Sequence, residues 1–236
     1  MNELSRRYMD AFKRVEHQLK VITGSKQHGK FNYLVNEAAR TNPVIRNIDG
    51  RLKALGNLRN SLSHERHQLA LPTQHTVDWI ERIADSLESP AKLPSLFAMD
   101  IRTCSPSDSI KVAAQLMHDH SFSQVPVIEA GCIVGLLTAE TIVRWLANIL
   151  CEGNTVVESS VSVVLKFKEK NSFYKVLSSE ATVFDALHAF DESANLRTDL
   201  DAILVTDGGT SEEVPIGIVT SFDIPRLIES QLRWLL

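Results

Sequence analysis

Apolar residues recur with the period of an α-helix through roughly the first ninety residues of the chain. Four segments space them three and four residues apart, which makes one face of each predicted helix apolar. These segments cover residues 4–22, 31–38, 45–62 and 77–87. Gly24 ends the first segment, Asn42-Pro43 ends the second because proline disfavours helix before it, and Thr73 or Thr76 caps the fourth. No strand pattern occurs before residue 95, so we predict four helices with short connections and antiparallel neighbours.

After residue 95 the pattern changes to a helix, two strands and a second helix, and this order occurs twice. Apolar residues at 110, 113, 114 and 117 predict the first helix of one copy, and those at 183, 186, 187 and 190 predict that of the other. Strands follow at 125–128 and 202–205. The offset between the copies grows from 73 residues at these helices to 82 at the glycines of the last strands, and the added residues fall in polar stretches. The sequence therefore predicts an internal duplication.

Each copy closes on a strand that runs directly into a helix. Gly135-Leu136-Leu137-Thr138 ends the first copy, and Gly217-Ile218-Val219-Thr220 ends the second. The threonine hydroxyl then lies at a helix N-terminus, where backbone N–H groups suit an anion or a ribose. The second copy continues to Asp223, whereas the first has Thr141 at the matching position and Glu140 one residue early.

This repeated order, closed by Gly-h-h-Thr-x-x-Asp (h, an apolar residue), resembles the CBS domain, which is named after cystathionine beta-synthase. The resemblance covers residues 95 to 236. It implies a tandem pair that folds as one compact α/β module, with the first unit at about 95–152 and the second at about 160–236.

The resemblance also implies a ligand, because CBS pairs that bind one typically hold an adenosine derivative: AMP, ADP, ATP or S-adenosylmethionine. In the family, the motif aspartate accepts hydrogen bonds from both ribose hydroxyls, which is the role of Asp223, and Thr220 meets ribose or phosphate beside the Ile218 backbone. The adenine wall implied by the family comes from the first copy, at Ile101, Ser123, Gln124 and Val125. Because Thr141 replaces the aspartate in the first copy, we expect one competent site. The alternative is a pair that binds nothing and serves only to dimerise.

A second motif ends the third predicted helix, at Arg59-Asn60-Ser61-Leu62-Ser63-His64. Asn60 and His64 share a helix face, whereas Arg59 and His64 lie about 140° apart around the helix. The motif resembles the Arg-Asn-x-x-x-His signature of HEPN domains, which are four- to five-helix units that often dimerise and often act as metal-independent ribonucleases. The resemblance assigns proton transfer on the ribose 2′-hydroxyl to His64, phosphate charge to Arg59 and an orienting role to Asn60, with the site completed across a two-fold dimer. The alternative is that Asn60 and His64 merely cap the helix.

The fold class that follows is α+β with two domains. A four-helix HEPN-like bundle is predicted at residues 1–92 and an α/β tandem CBS pair at 93–236, with the boundary at 89–94, where two prolines occur in six residues. Residues 1–92 carry 15 Lys and Arg against 10 Asp and Glu, a net +5, and residues 93–236 carry 10 against 19, a net −9. The basic part suits a polyanion such as RNA, or is simply a solvated surface.

The remaining composition is that of a soluble globular protein, with 44% hydrophobic and 23% charged residues. We find no transmembrane span or signal peptide, and we expect a cytoplasmic protein without membrane contact. Cys104, Cys132 and Cys151 form no Cys-x-x-Cys pair, so we expect them reduced and buried. His118 and His120 project from different faces of a helix, and we expect no metal.

Three functional hypotheses follow from the two resemblances. The first is a homodimeric regulatory protein whose CBS pair senses an adenine nucleotide and biases the attached HEPN-like domain. The second adds that the helical domain is a nucleotide-regulated, metal-independent endoribonuclease of the toxin-like kind. The third is a ligand-free dimerisation scaffold.

Overall fold

The computed structural model describes residues 2–25, 30–63, 70–96, 101–151 and 158–232. Its helices are α1 (Glu3–Thr23), α2 (Phe31–Thr41), α3 (Pro43–Ser63), α4 (Gln74–Glu88), α5 (Ile110–His120), α6 (Ala139–Cys151), α7 (Val161–Val164), α8 (Val183–Leu196) and α9 (Ile224–Leu232). Its strands are β1 (Gln124–Glu129), β2 (Cys132–Thr138), β3 (Ser172–Ser178), β4 (Asp199–Thr206) and β5 (Gly217–Val219). None of the described helices is long and apolar enough to cross a bilayer.

The chain divides into two compact units. The helical unit consists of Met1–Ala91, Thr182–His188 and Pro225–Leu236. The repeat unit consists of Lys92–Ala181 and Ala189–Ile224. The helical unit therefore contains the beginning of α8 and nearly all of α9 in addition to α1 to α4.

The ends of the first four helices agree with the sequence pattern. Gly24 ends α1 in the left-handed conformation, with φ of 61°, which glycine adopts at little cost. The Asn42 side chain accepts a hydrogen bond from the Val44 N–H at 3.0 Å and so caps the start of α3. Thr73 caps α4 by accepting a hydrogen bond from the Thr76 N–H. Helix boundaries in this part of the chain are thus set by local sequence.

The core of the helical unit is formed by the apolar faces of α1 to α4. Tyr8 is fully buried in it, and its hydroxyl donates a hydrogen bond to the backbone carbonyl of Leu55 at 2.6 Å. Phe184 from α8 and Leu232 from α9 pack against the same core. The other large side chains buried there include Leu19, Leu34, Ile45, Leu52, Ile80 and Ile83.

We expect Tyr8→Phe to lower the free energy of unfolding by about 1 kcal/mol, the contribution of one buried hydrogen bond. Chemical denaturation of the full chain measures this difference. Tyr33→Phe is the matched control, because Tyr33 is 55% exposed and the change should be close to neutral. Equal effects of the two substitutions would show that the hydrogen bond to Leu55 does not stabilise the core.

Ion pairs made by two arginines, Arg7 and Arg14, join α1 to α4. Arg7 donates two hydrogen bonds to Glu81 at 3.0 and 2.7 Å, and seven residues later Arg14 repeats the arrangement on Glu88 at 3.0 and 2.5 Å. The Arg14 guanidinium lowers the pKa of the Glu88 carboxyl. Because the residue numbers rise together, α1 and α4 run parallel. The prediction of antiparallel neighbours is therefore wrong for this pair, since a short connection constrains only helices that are consecutive in the chain.

The repeat unit contains two sheets built on the same plan. In the first, β1 and β2 pair antiparallel, and Cys104 makes a parallel bridge to Val127 in β1. In the second, β4 and β5 pair antiparallel, and β3 lies parallel to β4. Gly135 lies opposite Val127, and Gly217 lies opposite Val205. Both copies therefore have the helix, strand, strand, helix order predicted from sequence, and each adds a leading strand or bridge that the pattern did not reveal.

The three cysteines lie in different environments. Cys104 is buried, and burial raises the pKa of its thiol to about 11. Cys132 is half-buried and Cys151 is exposed. All three are free. The expectation that all three are buried is therefore wrong for Cys132 and for Cys151, which lies at the end of α6.

Candidate ligand-binding site

A cleft of about 500 Å³ opens in the repeat unit beside the second copy of the threonine motif. Residues from both copies line it: Ile101, Arg102, Ser121, Phe122, Ser123, Gln124 and Pro126 from the first, and Ile218, Thr220, Phe222 and Asp223 from the second. Six of the seven residues that the CBS resemblance assigned to the ligand therefore border one space.

The second copy supplies a fixed carboxylate. Strand β5 ends at Val219, Thr220 follows in an extended conformation, and residues 221–223 form a single 3-10 turn before α9. Oδ2 of Asp223 accepts hydrogen bonds from the Thr220 N–H at 2.8 Å and from the Thr220 hydroxyl at 3.0 Å. Both bonds use the same oxygen, so the carboxylate is held in one orientation by its own turn.

The first copy supplies a wall of mixed character. Helix α5 ends at Ser121 in the left-handed conformation, with φ of 56°. The Ser123 hydroxyl donates to Oε1 of Gln124 at 2.9 Å, which orients that amide. Gln124 and Pro126 line the cleft, and Val125 between them is fully buried in the core.

The Val125 side chain, which the CBS resemblance assigns to the adenine wall, is thus buried in the core and does not line this cleft. Successive residues of a strand face opposite sides, and β1 places Gln124 and Pro126 toward the cleft. The family-based assignment named a run of consecutive residues and did not separate these two faces.

The sequence reasoning missed five lining residues: Arg102, Ser121, Phe122, Pro126 and Phe222. Among the described lining residues, Arg102 is the cation and Asp223 the anion. Phe222 stands between two motif positions, so its place in Thr-Ser-Phe-Asp was a usable signal.

The matching corner of the first copy has no carboxylate. The Thr141 N–H donates to Oγ1 of Thr138 at 3.0 Å, and the two hydroxyls lie 2.9 Å apart. Both side chains are buried, with 2% exposure for Thr141 and 8% for Thr138. The hydroxyls satisfy each other inside the fold, and neither residue lines the cleft at Asp223.

A smaller cleft of about 220 Å³ lies where the repeat symmetry would place a second site. Leu136 and Asp201 line it, and they match Ile218 and Gln124 at the repeat offsets. Leu165 also lines it and packs so closely on Gly135 that a Cβ there would lie 3.1 Å from its Cδ1. The Leu165 side chain thus occupies part of the space beside Gly135.

The helical unit has a cleft of its own, of about 480 Å³. Its described lining residues are Phe12, Glu16, Lys30, Phe31, Asn32, Gly56, Arg59 and Asn60. Arg59 donates to Oδ1 of Asn60 at 3.3 Å, and its guanidinium lies 5.9 Å from the centre of the Phe12 ring. His64, the third residue of the predicted ribonuclease motif, lies outside the described residues.

No group of three or more His, Cys, Asp or Glu side chains in the described ranges is arranged to hold a metal ion. His120, which the sequence placed near the end of α5, stacks on Phe122 with ring centres 5.3 Å apart.

Comparison with known proteins identifies the first copy. Residues 96–148 match the family model of the CBS domain. Residues 96–148 form a CBS domain. The matched stretch contains β1, β2 and every cleft residue contributed by the first copy.

A curated homoserine O-acetyltransferase from Methanohalophilus mahii is 35% identical over 66 residues, which is 28% of this chain. The match spans only 13% of that protein's length.

Solved structures of CBS-domain proteins are also similar to the chain. A CBS domain pair in complex with 5′-methylthioadenosine and S-adenosyl-L-methionine is 20% identical, with a TM-score of 0.43 over 61% of this chain and 99% of that one. CBSX2 in complex with AMP is 18% identical, with a TM-score of 0.43 over 58% and 94%. A protein with CBS domains from Burkholderia ambifaria is 17% identical, with a TM-score of 0.41 over 58% and 85%.

Proposed function

We propose that the chain is a regulatory protein whose two repeats form a CBS pair that binds one adenosine-type ligand, such as AMP, ADP, ATP or S-adenosylmethionine. The observation that carries the proposal is the cleft of about 500 Å³, because it joins the CBS domain at 96–148 to the oriented carboxylate of Asp223. A pocket of this size suits a small-molecule ligand with a few fixed polar contacts.

The ribose would be held by Asp223. An ionised carboxylate offers only acceptors, and a vicinal diol offers two donors, so the two groups are complementary. Thr220 already donates to Oδ2, and Oδ1 is the oxygen suited to the ligand. Because Thr220 fixes the carboxylate before the ligand arrives, binding requires little ordering of this side chain.

The base and the phosphate of the ligand would contact mainly residues of the first repeat. Ile101 and Pro126, with Ile218 from the second repeat, give apolar surface for a base, and Gln124 offers an amide at its edge. Arg102 is a permanent cation on the same cleft and suits a phosphate. The ligand thus bridges the two repeats.

The test is a thermal melt of the full chain with each of the four candidate ligands. A ligand present at 100 times its dissociation constant should add about 2.7 kcal/mol to the free energy of unfolding. 2′-Deoxy-AMP is the control, because it lacks one of the two hydroxyls and should stabilise less than AMP at equal concentration. If none of the ligands raises the midpoint, the pair is a ligand-free scaffold.

The regulatory output would be a change in the helical unit. A bound ligand shifts the equilibrium between two states only if it binds them with different affinity. We propose a homodimer as the regulated species, in which the ligand favours one arrangement of the helical unit.

A second candidate function is an HEPN-type, metal-independent endoribonuclease in the helical unit. The observation that favours it is the cleft of about 480 Å³ in which Lys30, Arg59 and Asn60 come together. Two cations on one cleft suit a phosphodiester whose charge increases in the transition state, and an amide can orient it. With His64 as the proton-transfer group, the substrate would be single-stranded RNA.

A further inference from the structure

Phe222 is 82% exposed although it is one of the larger apolar side chains in the repeat unit. It stands in the turn between Thr220 and Asp223 and lines the cleft of about 500 Å³. The turn itself is fixed by the hydrogen bonds between Thr220 and Asp223, so the aromatic ring is presented on a rigid support. Burial of such a ring by a ligand would be strongly favourable.

The aromatic position is specific to this cleft. At the repeat offset, the residue that matches Phe222 is Glu140, a charged residue that pairs with Arg144 at 3.0 Å on the surface of α6. The carboxylate of Asp223 and the exposed ring of Phe222 therefore occur together in one copy and are both missing from the corresponding positions of the other. This coincidence points to two contacts with one ligand.

Three apolar residues that line the cleft lie largely inside the fold. Pro126 is buried, and Ile101 and Ile218 are half-buried. A planar group placed against these three residues would have one face covered and its other face open to solvent. An aromatic ring at the rim is the side chain best suited to cover that second face, because stacked rings gain both dispersion and apolar burial.

We propose that Phe222 stacks on the base of the nucleoside ligand and selects for a large planar heterocycle, a proposal that rests on the function proposed above. Phe122 is 41% exposed and lines the same cleft, where its stacking on His120 holds it in place as the rim of the first repeat. Since every base has an aromatic face, stacking distinguishes ring size rather than the pattern of donors and acceptors. Purine nucleotides should therefore bind better than pyrimidine nucleotides.

Phe222→Ala should weaken binding of AMP to the full chain by roughly 10- to 100-fold, the range found when a stacking ring is removed. Phe222→Tyr should bind within about threefold of the parent, because the ring is kept. Phe173→Ala is the matched control, because Phe173 is 38% exposed and lines the smaller cleft. Isothermal titration gives the affinities, and circular dichroism checks that each variant is folded.

A direct readout comes from Phe222→Trp. Stacking of adenine on the new indole should quench its fluorescence when AMP is added, whereas ribose 5-phosphate, which lacks a base, should leave the emission unchanged. Phe173→Trp should show no quenching with either compound. These signals are read as differences from the parent chain, which has three tryptophans of its own.

The outcomes separate the two proposals. If Asp223→Ala loses AMP while Phe222→Ala binds like the parent, the proposed function stands and the stacking role is wrong. Equal losses for Phe222→Ala and Phe173→Ala, or unquenched indole at position 222, also overturn it. If the parent chain binds none of the adenosine ligands, both proposals fail together.

Discussion

Asp223→Ala should weaken adenine nucleotide binding by roughly 10- to 100-fold, the loss expected when about 1.5 to 3 kcal/mol of charge-assisted hydrogen bonding is removed. Oδ2 of Asp223 is held by Thr220, so the variant removes both the ligand contact and the group that orders the turn. Isothermal titration with AMP measures the affinity, and the same sample can be melted without ligand.

Two further variants separate these effects. Asp223→Asn keeps an acceptor for Thr220 but lacks the charge, so it should retain the melting temperature and still bind the ligand more weakly. Asp223→Ala should also lose about 0.5–2 kcal/mol of stability, the range for a missing helix cap. Thr141→Ala changes the matching position of the first repeat and should leave the affinity unchanged. If Thr141→Ala weakens binding as much as Asp223→Ala, the ligand site is not the cleft at Asp223.

His64→Ala should abolish RNA cleavage if the helical unit is an endoribonuclease. The imidazole transfers the proton of the ribose 2′-hydroxyl in this mechanism, and the methyl group of alanine cannot do so. The parent chain should cut single-stranded RNA without added metal and leave 2′,3′-cyclic phosphate ends. Gel analysis of a labelled oligonucleotide measures the rate, and end-group analysis identifies the products.

His75→Ala is the control for that experiment, because His75 is an exposed histidine on α4. It should cut at the parent rate. Cleavage that survives His64→Ala belongs to a contaminant or another residue, and cleavage that stops with EDTA contradicts a metal-independent mechanism.

The sequence pattern predicted the local structure of the helical unit well, because helix ends depend on a few neighbouring residues. Three residues lie at helix ends where the sequence predicts them. Gly24 ends α1, Asn42 lies between α2 and α3, and Thr73 caps the start of α4. The direction of α1 relative to α4 was not predictable in the same way. It is visible only in contacts between residues more than seventy positions apart, such as those of Arg7 and Arg14, which no local pattern records.

The part of the candidate site that lies in the repeated motif could be predicted from the sequence. Thr220 and Asp223 were identified because the second copy could be compared with the first. The burial of Val125 depends on strand alternation, which decides which side chains of β1 face the cleft. The position of Phe222 within Thr-Ser-Phe-Asp places it near the cleft, but the sequence alone does not show that its ring is 82% exposed.

The placement of the last helix could not be derived from its periodicity. In the apolar stripe of α9, Leu227 is fully buried and Leu232 packs on the core of the helical unit. Ser86 in α4 donates hydrogen bonds to the backbone and side-chain oxygens of Gln231 at 3.3 and 3.2 Å. An amphipathic pattern specifies that a helix has a partner, but not which partner it has.

The segments of the helical unit are separated in the chain by the repeat unit, because Thr182–His188 and Pro225–Leu236 belong with residues 1–91. A recombination event that moved residues 1–91 to another gene would leave behind Phe184 and Leu232 and expose the apolar surface that they cover. An event that moved residues 92–236 would carry those two segments away from their core. Neither residues 1–91 nor residues 92–236 can therefore be moved as one continuous stretch of sequence without uncovering part of the core of the helical unit.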